Sequence, residues 1–218
     1  EFDLIADAYA ALKLLGTSPL IDPARIGVMG FSYGGMATRL AMDARIREAL
    51  APGVPPFSLH IDVYGPCFQD LQSPALTGAP ILTLRGTEDA SNDLAACARR
   101  EAELARLGVD VTARIYEGAG HAWENEQPRF LSADSPYLAG CELVYDGRGR
   151  AMLDGELLTD YPMDASHATK MAARFSSGMK FRECVGYGYI VGRDEKARKQ
   201  GYADIAAFLG QNWGLPGI

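Results

Sequence analysis

Residues 25–35 read RIGVMGFSYGG: a short apolar run, then a bend of glycines around one serine, then from Met36 a stretch of helix-forming composition. This order of strand, bend and helix narrows the choice of folds, because a helix leaving a strand must pack back on a sheet, and right-handed crossovers put successive bends at one sheet edge. The pattern recurs. FSLHIDVYG (57–65) and APILTLRG (79–86) read as further buried strands, each ending in glycine, and DLAACARREAELARLG (93–108) reads as a helix with a glycine C-cap. VDVTARIYEG (109–118) alternates enough to be an edge strand, while MATRLAMDARIREALA (36–51) reads as one helix. At the ends, DLIADAYAALKLLG places Leu4, Ile5, Ala8, Leu12 and Leu15 on one helical face, and residues 193–213 place Ala203, Ile205, Ala206, Phe208 and Leu209 on one side of a closing helix. The expectation is an α/β fold with a mostly parallel sheet and helices on both faces.

At 218 residues and 48% hydrophobic content the chain has the material for one core, hence a single domain over 1–218. Residues 124–188 break the pattern, as an irregular insertion forming a lid or a brace. Within it ELVYDGRGRAML reads as a hairpin about a Gly-rich turn, and DASHATKMAARF as a short helix capped by Asp164 or Ser166. The net charge of −7 leaves no basic stripe for nucleic acid, and no apolar run approaches the roughly 18 residues of a membrane span. Four cysteines without a C-x-x-C spacing argue against a metal site; as thiols they are either four buried free groups or one of three pairings.

Gly30-Phe31-Ser32-Tyr33-Gly34 matches G-x-S-x-G in the strand-to-helix context that a nucleophile elbow requires. Small residues at 30 and 34 are expected to remove Cβ clashes around a strained Ser32, with the Tyr33 backbone N–H facing the place where an oxyanion would form. A serine hydroxyl is a poor nucleophile alone, so a histidine base and an orienting acid should follow in the order Ser, acid, His. Asp89 follows the third strand and His121 the fourth, both on loops at the edge of Ser32. Glu88, Asp93 and Glu117 compete as the acid, but Glu88 should point away from Asp89's side, and Asp93 suits a helix cap. His60 falls within a strand at the far edge and reads as a packed imidazole; His167 reads as a surface residue. Phe31, Tyr33, Tyr64 and Trp123 flank these loops, and Phe31, Tyr64 and Trp123 are the candidates for lining a substrate pocket.

Together DPARIGVMGFSYGG, PILTLRGTEDAS and YEGAGHAWEN resemble the dienelactone hydrolase group of α/β-hydrolases, over about Ile5 to Trp123 and again in the last helix. That group often carries cysteine at the elbow; Ser32 makes this chain look like its serine esterase branch. Some members also carry cysteines in this arrangement, and the resemblance implies the pairs Cys67–Cys97 and Cys141–Cys184. Those pairs imply an oxidising compartment, periplasmic or secreted, with a cytoplasmic location as the alternative. Such hydrolases place several strands ahead of the elbow, and those strands are not in this sequence. The elbow strand should therefore show an open edge, covered either by a further N-terminal segment or by another subunit in a homo-oligomer.

The expected reaction is hydrolysis of a small-molecule carboxylic ester through an acyl-enzyme, with no metal or organic cofactor. A peptidase or thioesterase using the same three residues is the nearest rival. A non-catalytic binding module derived from a hydrolase is the rival of another class.

Overall fold

A computed structural model describes residues 2–146, 150–158 and 165–215. Helix α1 (Phe2–Leu15) leads through a short 3-10 turn (Pro23–Arg25) into strand β1 (Val28–Phe31), which runs into α2 (Tyr33–Leu40) and α3 (Ala44–Leu50). Strands β2 (His60–Val63), β3 (Gln69–Asp70) and β4 (Ile81–Gly86) follow, then α4 (Leu94–Arg106) and β5 (Val111–Tyr116). The remainder comprises β6 (Phe130–Tyr137), β7 (Leu143–Tyr145), β8 (Ala151–Leu153), β9 (Glu156–Leu157), α5 (His167–Lys180), β10 (Gly186–Val191) and α6 (Glu195–Trp213). The central sheet is wholly parallel, in the order β1-β2-β4-β5.

Side-chain alternation divides this sheet into two unlike faces. Ile61 and Val63 of β2, with Leu82 and Leu84 of β4, join Trp123, Ala197 and Phe208 in an apolar core beneath α6. The intervening residues His60, Asp62, Thr83 and Arg85 are buried as well, at 0 to 2% exposure. They form a polar seam under α2 and α4: Arg39 and Arg85 both bond Asp62, and the Thr83 hydroxyl donates to Glu101. A second apolar core gathers Ile5, Tyr9 and Leu12 of α1 with Met36, Ala37 and Leu40 of α2, and with Leu143, Tyr145 and Leu153.

Several local expectations need correction. β1 is not buried on both faces: Met29 and Phe31 are substantially exposed, because β1 is an edge of its sheet among the described residues. The stretch 36–51 is two helices, since Asp43 ends the first and caps the second by accepting from the Arg45 and Ile46 amides. On α1 the buried stripe is Ile5, Tyr9 and Leu12, with Leu4 and Leu15 exposed; Tyr9 is drawn in by its hydroxyl, which donates to the Ala41 carbonyl at 2.6 Å. On α6 Ala197, Gly201 and Phe208 are buried and Ile205 and Leu209 pack partly buried against the same core, as expected, while Ala203 faces solvent.

In the segment after His121, β7 and β8 form the expected antiparallel pair; its turn at 147–149 lies outside the described residues. α5 extends to Lys180 with Ser166 as its cap, and Asp164, the other cap candidate, also lies outside them. Two features had no sequence signal: β10 pairs with β6 in an antiparallel ribbon, and the short β3 joins β7 in a second sheet, β3-β7-β8-β9. Cys67 is bonded to Cys97 and Cys141 to Cys184, matching the pairs implied by the resemblance.

Candidate active site

Because the sheet is parallel, the loops after β1, β4 and β5 leave at one edge, and they carry Ser32, Asp89 and His121. Ser32 has φ 54° and ψ −120°, a strained conformation for a residue with a Cβ. Two backbone bonds brace the bend: the Ser32 amide donates to the Val63 carbonyl at 2.9 Å, and the Met36 amide donates to the Ser32 carbonyl at 3.1 Å. The strand and helix meet so closely that a Cβ on Gly30 would lie 2.1 Å from the Gly34 carbonyl oxygen. Gly34 differs from the expectation. A Cβ there would meet nothing within 4 Å, whereas a Cβ added to Gly35, outside the motif, would lie 2.4 Å from Asp62 Oδ1.

His121 is held by its backbone on both sides, its amide donating to the Ile190 carbonyl at 2.7 Å and its carbonyl accepting from the Gly192 amide at 2.9 Å. Its Nε2 lies 2.8 Å from Ser32 Oγ and its Nδ1 2.7 Å from Asp89 Oδ2. A buried carboxylate beside Nδ1 requires the proton there, which leaves the Nε2 lone pair to accept from the serine hydroxyl. Asp89 is 2% exposed and saturated with donors: Oδ1 accepts from the Ser91 amide (3.0 Å) and hydroxyl (2.5 Å), and Oδ2 also accepts from the Asn92 side chain at 2.8 Å.

The competing acids lie elsewhere: Glu88 pairs with Arg129, Asp93 caps α4, and Glu117 is exposed. His60 is fully buried in β2, bonded through Nδ1 to the Thr38 carbonyl at 2.9 Å, and burial pulls its pKa down to about 4. His167 is an exposed residue at the start of α5. Tyr33 is the first residue of α2, which places its backbone N–H in the positive first turn of that helix.

Of the aromatics, Tyr64 packs its ring 4.6 Å from the His121 ring and donates its hydroxyl to Glu124 at 2.6 Å. Burial, helped by that carboxylate, pushes the Tyr64 phenol well above its ordinary range, so it stays protonated. Phe31 is exposed and tilts against Tyr64 at 6.0 Å. Trp123 has no exposed surface, so it does not line a cleft; it lies in the core behind Tyr64, edge-on to it and to Tyr116. Sequence reasoning missed Tyr189 of β10, edge-on to His121 at 5.3 Å, and both Ser91 and Asn92. Nothing in the residues around 189 carries a periodic signal, whereas Ser91 and Asn92 stood in plain view beside Asp89.

Among the described residues no cluster of His, Cys, Asp or Glu is arranged to hold a metal, and no helix is long and apolar enough to cross a membrane. A cavity of about 280 Å³ between α4 and the loop after β3 includes none of Ser32, Asp89 or His121 in its lining.

A parallel sheet with a strained serine at a strand-to-helix bend, and acid and histidine loops at the same edge, defines an α/β-hydrolase. More particularly, residues 2–143 match the model of the dienelactone hydrolase family, and the chain belongs to that family. A search of curated proteins gives no match. Among solved structures, a protein of Klebsiella pneumoniae subsp. pneumoniae assigned as a dienelactone hydrolase superposes with a TM-score of 0.51 at 17% identity. That superposition covers 95% of this chain and 60% of the Klebsiella chain, so the present chain spans less than two thirds of its length. A butyrate-bound esterase of Thermogutta terrifontis gives a TM-score of 0.45 at 17% identity, over 56% of each chain. Dipeptidyl peptidase 4 of Porphyromonas gingivalis gives 0.42 at 19% identity, over 54% of this chain and 19% of its own. At such identities the Klebsiella likeness concerns the fold alone.

Proposed function

We propose that this chain is a serine hydrolase that cleaves carboxylic esters of small molecules through an acyl-enzyme. The observation that carries the reading is the unbroken hydrogen-bonded line from Ser32 Oγ through His121 to Asp89, at 2.8 and 2.7 Å. In this mechanism Ser32 Oγ bonds to the ester carbonyl carbon while its proton passes to His121 Nε2. Asp89 holds the imidazole by Nδ1–H and stabilises the positive charge that develops. The Tyr33 N–H, in the first turn of α2, donates to the oxyanion. Collapse breaks the bond to the alcohol oxygen, which leaves with the proton from His121. Water then attacks the acyl-enzyme, His121 takes its proton, and release of the acid returns that proton to Ser32. No step requires a cofactor. Phe31 forms an aromatic side of the substrate site, backed by the buried Tyr64, with Trp123 supporting Tyr64 from the core. The two disulfides fit an oxidising compartment, periplasmic or secreted.

A fluorophosphonate probe tests the mechanism, and a panel of short-chain 4-nitrophenyl esters against peptide anilides tests the bond class. The parent protein is expected to label and to turn over the esters. Ser32→Ala is expected to lose labelling and about 10³-fold or more of kcat. Equal labelling of Ser32→Ala overturns the serine mechanism, and turnover of anilides alone moves the activity to peptide bonds.

A further inference from the structure

The polar seam beneath the sheet does not stop at the core; it reaches the acid of the site. Asp62 accepts from Arg39 Nη1 at 2.6 Å and from Arg85 Nη2 at 2.9 Å. Arg85, 2% exposed, is fixed further by the Gly65 carbonyl at 2.7 Å and Glu101 at 3.3 Å, and its Nη1 donates to Asn92 Oδ1 at 3.1 Å. The Asn92 amide nitrogen then donates to the Tyr64 carbonyl at 3.0 Å and to Asp89 Oδ2 at 2.8 Å. That oxygen is the one that also accepts from His121.

The chemistry of the partners allows one orientation of this amide. A guanidinium only donates and a carboxylate only accepts. A flipped Asn92 would press its NH₂ against Arg85 and its carbonyl oxygen against Asp89, two repulsions inside a site shielded from water. Arg85 therefore determines that Asn92 is a donor to Asp89.

We propose that Asn92 is a positioning residue for the hydrolase reaction: locked by Arg85, it keeps the Asp89 carboxylate aimed at His121 Nδ1. This rests on the proposed function. By sharing Oδ2 with the imidazole, the Asn92 donor fixes where that oxygen sits and draws off part of its negative charge. The charged and titratable groups around the Asp89–His121 pair are few. Tyr64 faces it from the loop after β2, Tyr189 from β10 and Ser32 from the elbow. Behind Asn92 stand Arg85, Asp62, Arg39 and Glu101, and Glu124 sits on the far side of the Tyr64 hydroxyl.

Asn92→Asp is the discriminating variant, because it keeps the shape and the acceptor toward Arg85 while replacing the donor toward Asp89 with a second carboxylate. On a 4-nitrophenyl ester, kcat at pH 7 is expected to fall about tenfold or more with KM within about twofold, and the acid limb of the kcat profile to move up by about half a pH unit or more. Arg85→Lys keeps the charge beside Asp62 but loses the planar fork that locks the amide; the same changes are expected in the same direction, at about threefold in kcat. It decides the matter should Asn92→Asp not fold. Folded variants with parental kcat and an unmoved acid limb overturn the proposal. So does a loss of kcat fully explained by a smaller titratable fraction of active sites, with the limb in place, since that is a merely structural role. Labelling of the parent that Ser32→Ala abolishes keeps the two readings apart: with it intact, an unmoved limb sinks this inference alone, and without it the proposed function itself fails.

Discussion

An imidazole buried with one nitrogen bonded to a carbonyl and the other without a partner is held neutral by its surroundings, and His60 is in that position. Burial lowers its pKa from 6.5 to about 4, against the smaller opposing effect of the Thr38 carbonyl. As pH falls below about 6.5 the unfolded chain takes up a proton that the folded chain refuses until about 4, so acid favours unfolding across that window. At about 1.4 kcal/mol per pH unit the full gap amounts to about 3 kcal/mol. His60→Asn keeps an N–H for Thr38 but cannot titrate. Denaturant melts from pH 7 to 4.5 should show the parent losing about 2–3 kcal/mol more than the variant. Parallel losses would show that His60 is not the acid-sensitive group.

The joint between β1 and α2 concentrates strain and close approach in five residues. Ser32 alone, at positive φ, costs of order 1–3 kcal/mol, and the contact of Gly30 with the Gly34 carbonyl fixes how closely the helix follows the strand. The two motif glycines should therefore respond differently. Gly30→Ala forces α2 off β1, because the added Cβ also meets Thr38 Oγ1 at 2.7 Å, and a loss of about 3 kcal/mol or more is expected. Gly34→Ala opens into free space on a helix, where alanine is favoured by up to about 1 kcal/mol, so its denaturation midpoint should hold or rise. A similar loss at both positions would contradict this account of the elbow.

Across the whole molecule, the part of the chain beyond the parallel sheet returns to hold the histidine. β10 provides the Ile190 carbonyl for the His121 amide, and Cys184, just ahead of β10, is tied to Cys141, just ahead of β7. The two disulfides close loops with sequence separations of 30 and 43, each worth about 3–4 kcal/mol in the chain-entropy account. Cys141→Ala with Cys184→Ala should lower the melting temperature and speed amide hydrogen exchange at His121 and Gly192, with the exchange of β2 and β4 less affected. Unchanged exchange at His121 would mean that β10 is held by its pairing with β6 alone.

What the sequence by itself determined was local in origin: the elbow at residues 30–34, the order Ser32, Asp89, His121, and the alternation of strands with helices. Each is legible because backbone preference and side-chain period are properties of neighbouring residues. The cysteine pairs were legible only through likeness to a family. Tertiary structure alone decided that Tyr9 and not Leu4 enters the core, and that β10 reaches His121. It also decided that Asp62, Arg85 and Asn92, which look unremarkable within two apolar strands and a loop, line up behind Asp89. The physical reason is that a buried charge selects its partners by three-dimensional proximity, and those partners stand as far apart in the chain as β2, β4 and the loop before α4.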